Sequence, residues 1–244
     1  MTPYYVDESV TLYHGDALEV MDALPDTTID TVLTDPPYSS GGRRENARSL
    51  RRTMARAISD DDWIRGDAMS TAGYVWFNRL AALEYRRLLV PGGHVLSFTD
   101  WRMEAHLAAA FETADLRQHP TLVWDKTFFG MGAIFRNQYE LIVHASAGNP
   151  RPPQRRDVGN VIRCKPVDND DHPTEKPVGL LEVLITVVSA PGGAVLDCMA
   201  GSGSTAVAAL RAGRRALLVE ADERYCEFIV KRLAQEPLPL DGAA

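Results

Sequence analysis

Cysteine is scarce in this chain: Cys164, Cys198 and Cys226 are the only three in 244 residues, widely spaced and odd in number. That excludes a disulfide framework and a paired-cysteine zinc site, and it points to a reducing, cytoplasmic compartment. Long apolar runs are also missing. No segment approaches the roughly 20 apolar residues of a membrane helix, and residues 1–9 lack a basic stretch followed by an apolar core, so neither a span nor an export signal is expected. An excess of positive charge is lacking too. Asp and Glu number 33 against 26 Lys and Arg, and the net charge of −7 counts against non-specific coating of nucleic acid. His172 sits beside Asp170 and Asp171 with no partner at metal-ligand spacing, so no metal is expected.

What is present fits one large α/β unit. With 45% hydrophobic and 24% charged residues the chain can bury a full core. A single domain is expected over 1–236, with irregular insertions near 39–67 and 146–173 and a frayed tail at 237–244. The basic residues cluster. One group holds Arg43, Arg44, Arg48, Arg51, Arg52 and Arg56 against the single acid Glu45; another holds Arg151, Arg155, Arg156, Arg163 and Lys165. Such a run is ordinarily a solvated face, and phosphate contact is the sharper alternative.

Short β-branched runs alternate with helical patterns. Strands are expected at 10–13, 28–34, 94–99, 121–124, 140–145, 194–198 and 215–220, and helices at 73–89, 101–114, 178–189, 205–212 and 223–234. That alternation predicts a mostly parallel, doubly wound sheet with helices on both faces. The Pro-Gly-Gly triplets at 91–93 and 191–193 are each expected to end a helix and launch a strand.

Two segments carry the chemistry. The run from Ala194 through Asp197, Gly201, Ser202 and Gly203 to Thr205 and Ala206 reads as strand, glycine turn and helix start, with Asp197 closing the strand. Open α/β sheets bind ligands at that edge, and free N–H groups of the following helix point into the same crevice. The turn alone is ambiguous, since Gly201, Gly203 and Ala206 also satisfy a dinucleotide fingerprint. Glu220, ending the next strand, can accept from both ribose hydroxyls of an adenosine cofactor, whether or not that cofactor is a dinucleotide.

The second segment is Asp35-Pro36-Pro37-Tyr38, after the apolar strand at 29–33. Two prolines fix φ and leave carbonyl oxygens free to accept. Asp35 and the Pro36 carbonyl can together receive the two hydrogens of an aromatic amine, and Tyr38 offers a ring on which its base can stack. Two such acceptors favour a pyramidal nitrogen and stabilise the charge that develops as it attacks a methyl donor. The plainer reading, a strand-ending turn, leaves the pairing with Asp197–Thr205 unexplained.

These residues resemble the DNA amino-methyltransferases of the N6-adenine and N4-cytosine type, whose catalytic motif is Asp, Ser or Asn followed by Pro-Pro and an aromatic, matched by Asp35 to Tyr38. Because that motif precedes the Gly201–Gly203 turn, the resemblance is to the beta arrangement, and it spans nearly the whole chain. It implies a Rossmann-like, circularly permuted S-adenosylmethionine-dependent fold with one antiparallel strand. It further implies that Thr174 and Lys176, in His172-Pro-Thr-Glu-Lys-Pro177, lie by the methionine part of the cofactor, and that Asp16 contacts its adenine. The segment from Trp124 to Lys126, with Gly130 to Glu140, would line the target-base pocket.

For single residues simpler roles stay open: Asp16 can cap a helix at 17–24, Pro177 can start one, and Lys176 can be a surface lysine. The implied function is transfer of a methyl group to adenine N6 of a base flipped out of double-stranded DNA, with N4-cytosine as the alternative target. Arg43, Arg44, Arg51, Arg52, Arg155 and Arg156 would contact phosphates, and a homodimer could complete recognition, since only 146–171 remains for a recognition segment. Outside this class, the competing readings are a nicotinamide-dependent oxidoreductase and a DNA-binding module that has lost activity.

Overall fold

The computed structural model describes residues 1–37, 69–130, 134–167 and 175–235. Tyr38, the arginine run at 43–56, His172, Thr174 and the tail lie outside the described residues.

The apolar runs form one sheet containing ten strands among the described residues. In chain order these are β1 (Tyr5–Val6), β2 (Val10–His14), β3 (Ile29–Thr34), β4 (Leu89–Thr99), β5 (Arg117–Gln118), β6 (Leu122–Asp125), β7 (Tyr139–Ser146), β8 (Val161–Arg163), β9 (Ala194–Asp197) and β10 (Arg215–Glu220). Their spatial order is β1-β2-β10-β9-β3-β4-β7-β6-β8, with β5 pairing β7 off that path. From β2 to β4 every pairing is parallel; β7 runs against β4, β5 and β6, and the two-residue β1 runs against β2.

Side chains alternate across this sheet as the period of two demands. Val32, Val95, Leu196 and Val219 point to one face, whereas their neighbours Leu33, Leu96, Val195 and Leu218 point to the other. The first face is covered by α1 (Ala17–Asp22), α2 (Thr71–Leu88) and α3 (Glu104–Thr113), the second by α4 (Val178–Val188), α5 (Ser204–Arg211) and α6 (Glu223–Gln235). In α2 the buried residues Tyr74, Asn78, Ala81, Ala82, Tyr85 and Leu88 recur at helical spacing, and Ser70 caps the first turn by accepting from the Gly73 N–H at 3.1 Å.

Three expectations are revised. The Pro-Gly-Gly at 191–193 does separate α4 from β9, but the triplet at 91–93 lies inside β4, which begins at Leu89. There the chain at 147–151 crosses close by: Ala147 O accepts from Gly92 N–H and Gly92 O accepts from Arg151 N–H. A Cβ on Gly92, at φ +76°, would lie 2.7 Å from the Asn149 carbonyl oxygen, so this glycine admits a crossing segment rather than ending a helix. Second, the stretch expected to be irregular over 146–173 contains β8, which pairs in parallel with β6. Third, the helix expected from Trp101 begins at Glu104, after a turn held by Asp100, whose Oδ1 accepts from the N–H groups of Arg102 and Met103. Among the described residues no helix is long and apolar enough to cross a membrane.

The strand order fixes where a ligand can sit. From β9 the chain winds outward through β10 to the edge that β2 extends, and from β3 it winds the opposite way through β4. The reversal between β9 and β3 opens a crevice beyond their carboxyl ends.

Candidate active site at the switch point

Four acids stand at the carboxyl ends of four adjacent parallel strands: Asp16 just past β2, Glu220 ending β10, Asp197 ending β9 and Asp35 just past β3. The permuted order explains this set. The amino-terminal β2 completes the cofactor half by pairing with β10, so Gly15 N–H donates to the Glu220 carbonyl at 3.0 Å and brings Asp16 alongside. Beneath the crevice, Thr34 Oγ1 and Tyr85 Oη lie 3.6 and 3.2 Å from Cys198 Sγ, tying β3 to β9.

Asp197 is buried, and burial pushes its carboxyl up to about 6 against the hydrogen bonds it accepts. Thr205 Oγ1 donates to Oδ2 at 2.5 Å and the Met199 N–H to Oδ1 at 3.1 Å. No salt bridge pairs it among the described residues. Glu220 accepts from the N–H groups of Gly201 at 2.8 Å and Asp222 at 2.9 Å, and burial raises its carboxyl too. Two half-buried or buried carboxyls around a glycine turn, one of them with no cation among the described residues, form a donor set that fits a cationic adenosine cofactor.

The turn is built for packing as well as binding. Gly201 has φ +52° and Gly203 φ +76°, both left-handed. A Cβ on Gly203 would meet Ile229 Cγ1 at 2.9 Å, so its lack of a side chain lets α6 close on the turn. Ser202 is buried with its hydroxyl 3.1 Å from Ser204 Oγ, which donates to Glu175 Oε1 at 3.0 Å. Arg232 completes this knot, pairing with Glu175 at 2.7 Å and donating to the Ser202 carbonyl at 3.1 Å. Glu175 lies in the segment that the resemblance sets beside the cofactor, although no role is read for it there, and nothing in the sequence points to Arg232. Asp16, an exposed residue, caps α1, accepting from Leu18 and Glu19 N–H through Oδ1, so the capping role is realised.

On the catalytic side the structure joins Asp35 to Lys176, whose Nζ donates to Asp35 Oδ2. Lys176 also lies 3.6 Å from Glu140 Oε2, and Lys126 donates to Glu140 Oε1 at 2.5 Å. The result is a line of alternating charge, Asp35–Lys176–Glu140–Lys126, laid over aromatic rings: Lys176 Nζ is 5.1 Å from the Phe98 centroid and Lys126 Nζ 4.7 Å from that of Trp124. Burial alone would lower the Lys176 ammonium, but Asp35 and Glu140 outweigh it and hold it above its usual value. Burial likewise pushes Glu140 up, yet Lys176 and Lys126 hold it below the ordinary carboxylate range. The family resemblance sets Lys176 beside the cofactor; its hydrogen bond here is to the catalytic motif.

The same edge carries exposed rings. Phe128 and Phe129 follow β6 and Phe135 precedes β7, at 56, 57 and 89% exposure. The second basic group is split. Arg163 ends β8 beside Asp125, at the edge that holds Asp35, whereas Gln154 N–H bonds the Val187 carbonyl at the far end of α4. Arg155 and Arg156 therefore sit at the opposite edge, Arg155 forming a bidentate pair with Asp157, and they are not brought together with Asp35.

Comparison with known proteins agrees with this architecture. The family model for DNA methylases of the N6/N4 methyltransferase type matches residues 29–232, and the chain belongs to that family. YubD of Escherichia coli (strain K12), named as a methylase, is 33% identical over 220 residues, covering 90% of this chain and 88% of its own. The type II methyltransferase M2.DpnII of Streptococcus pneumoniae is 26% identical, with 96 and 93% covered. Among solved structures, TTHA0409 of Thermus thermophilus, complexed with S-adenosyl-L-methionine, superposes with TM-score 0.65 at 25% identity, covering 92 and 94%. The cytosine-N4-specific PvuII DNA methyltransferase shares the fold at TM-score 0.69 and 15% identity, covering 99 and 98%. Membership in this family removes the oxidoreductase reading of the glycine turn.

Proposed function

We propose that this protein is an S-adenosylmethionine-dependent DNA methyltransferase acting on the exocyclic amine of a flipped base, with adenine N6 as its target. One observation carries the reading: Asp35 just past β3 and Asp197 ending β9 stand at the carboxyl ends of neighbouring parallel strands on either side of the switch point, so a methyl donor held by one half faces an acceptor held by the other.

When bound, the cofactor supplies a methyl group on a cationic sulfur. Glu220 would accept from its ribose hydroxyls, Asp16 would meet its adenine, and Asp197 would ionise against its positive end, with Gly201, Ser202, Gly203 and Thr205 shaping the turn. Asp35 and the Pro36 carbonyl would accept the two amine hydrogens and hold the nitrogen lone pair toward the donor. Lys176 fixes the orientation of Asp35 through Oδ2. Once the nitrogen carries the methyl group it is cationic and acidic, so Asp35 or water can take its proton. The exposed Phe128, Phe129 and Phe135 supply ring faces for an extruded base or its vacated neighbours. Arg43, Arg44, Arg51 and Arg52, which follow the catalytic motif directly, are proposed to contact phosphates. Asp35 at the head of the motif favours adenine over cytosine.

The test separates binding from chemistry. Asp35→Ala should bind S-adenosylmethionine within about threefold of the wild type by calorimetry while turnover falls at least about a hundredfold. Unchanged turnover would remove Asp35 from the mechanism.

A further inference from the structure

Three of the six histidines meet in space although each is 25 residues from the next in sequence: His94 on β4, His119 just past β5 and His144 on β7. Each offers one ring nitrogen, and these atoms all lie within 4.8 Å of one another. His94 Nδ1 and His144 Nε2 are already 3.0 Å apart. Strand register makes this compact: His94 stands opposite Ser146 and Leu96 opposite His144, so the two histidines are diagonal neighbours on the face that α4 covers. His119 is held beside them by its N–H bond to the His144 carbonyl. The rings lie close and tilted to one another, with centroids 4.5 Å apart for His119 and His144 and 5.2 Å for His94 and His144.

We propose that these three histidines form a binding site for a divalent transition-metal ion of the zinc type, separate from the methyl-transfer site. Zinc bound at about 2.0–2.1 Å to each nitrogen sets neighbouring ligands about 3.3 Å apart, close to the existing His94–His144 spacing, and a His119 nitrogen lies within 4.8 Å of both. Imidazole is the ligand that suits such ions, and surrounding contacts orient the rings. His94 hydrogen-bonds the Arg151 backbone and His119 Nε2 lies 2.8 Å from Ser146 Oγ. Coordination displaces the shared proton between His94 and His144 to the other nitrogen of a ring, with no redox change. His119 and His144 also line a cavity of about 260 Å³ with Leu122, Asn160, Leu184 and Val187, which gives room for an exogenous fourth ligand.

The site lies where β4 meets the carboxyl-terminal end of β7, with His94 opposite Ser146, whereas Asp35 follows the carboxyl end of β3 and Asp197 ends β9. Its role is therefore to pin β4, β7 and the segment after β5 together, independently of catalysis. The test uses full-length protein without a histidine tag, freed of metal by chelation and titrated with Co²⁺ alone and then Zn²⁺. One equivalent of Co²⁺ should produce the intense visible bands of four-coordinate cobalt, and Zn²⁺ should abolish them. His119→Asn, chosen because this residue is partly exposed, should weaken Zn²⁺ affinity at least about tenfold with its circular dichroism unchanged, and His144→Gln should do the same. Absence of the bands, or equal affinity in His119→Asn and wild type, would overturn the proposal.

Discussion

At the scale of single residues, the site depends on two buried charges that sit in different company. Lys176 acts as a positioning residue through Asp35. Lys176→Met should lower kcat by roughly ten- to a hundredfold and move the acid limb of the pH–rate profile upward, whereas Lys176→Arg should restore part of the rate. An unshifted profile would reduce Lys176 to a packing role. Asp197 has the opposite character, since burial leaves its carboxyl at about 6 with no salt-bridge partner among the described residues. Because this folded-state value exceeds the unfolded one, the group favours folding in acid, and that contribution of about 3 kcal/mol is lost as pH rises from about 4 through 6. A cationic cofactor favours the ionised form. Binding should therefore tighten as pH rises through about 6 with release of a proton, and Asp197→Asn should flatten that dependence in calorimetry run in buffers of different ionisation enthalpy.

At the scale of elements, the glycine turn and the helices behind it are one unit. Gly203→Ala places a side chain at φ +76° and 2.9 Å from Ile229, so it should cost about 3 kcal/mol in denaturant unfolding, with Ile229→Ala in the same chain relieving the contact part of the loss. Arg232→Ala removes the ion pair from buried Glu175 and should destabilise by a similar amount. The strands that carry the chemistry are legible in the sequence, because β3, β9 and β10 are short apolar runs that each end on or beside an acid, and period-two alternation needs no tertiary information. Their partners are not. Lys176 reaches Asp35 across 141 positions and Arg232 reaches back from α6 to Glu175 in the segment before α4, and nothing local marks either pair. β8 is three residues long and owes its existence to β6, so propensity alone leaves it in a loop. Pro91-Gly92-Gly93 reads as a boundary because that triplet usually punctuates a chain, whereas here it admits a crossing segment.

Across the whole molecule, a net charge of −7 coexists with basic residues concentrated in particular segments. Of the two basic groups that the sequence suggests, only residues at one end of the second share an edge with Asp35 among the described residues, because the chain between Arg151 and Arg163 travels from one edge of the sheet to the other. DNA affinity should consequently respond to the first cluster: replacing Arg43, Arg44, Arg51 and Arg52 by Ala should flatten the log–log salt dependence by about 0.9 per lost phosphate contact. Replacing Arg155 and Arg156 should leave it nearly unchanged, and a larger effect there would place DNA across the opposite edge.

The most direct measurement is to incubate the protein with methyl-labelled S-adenosylmethionine and unmethylated double-stranded DNA of broad sequence content, digest the DNA to nucleosides, and identify which one carries the label. N6-methyladenine is the predicted product. N4-methylcytosine would keep the mechanism and overturn the choice of base, and a protein that binds both cofactor and DNA yet leaves every nucleoside unlabelled would contradict the account.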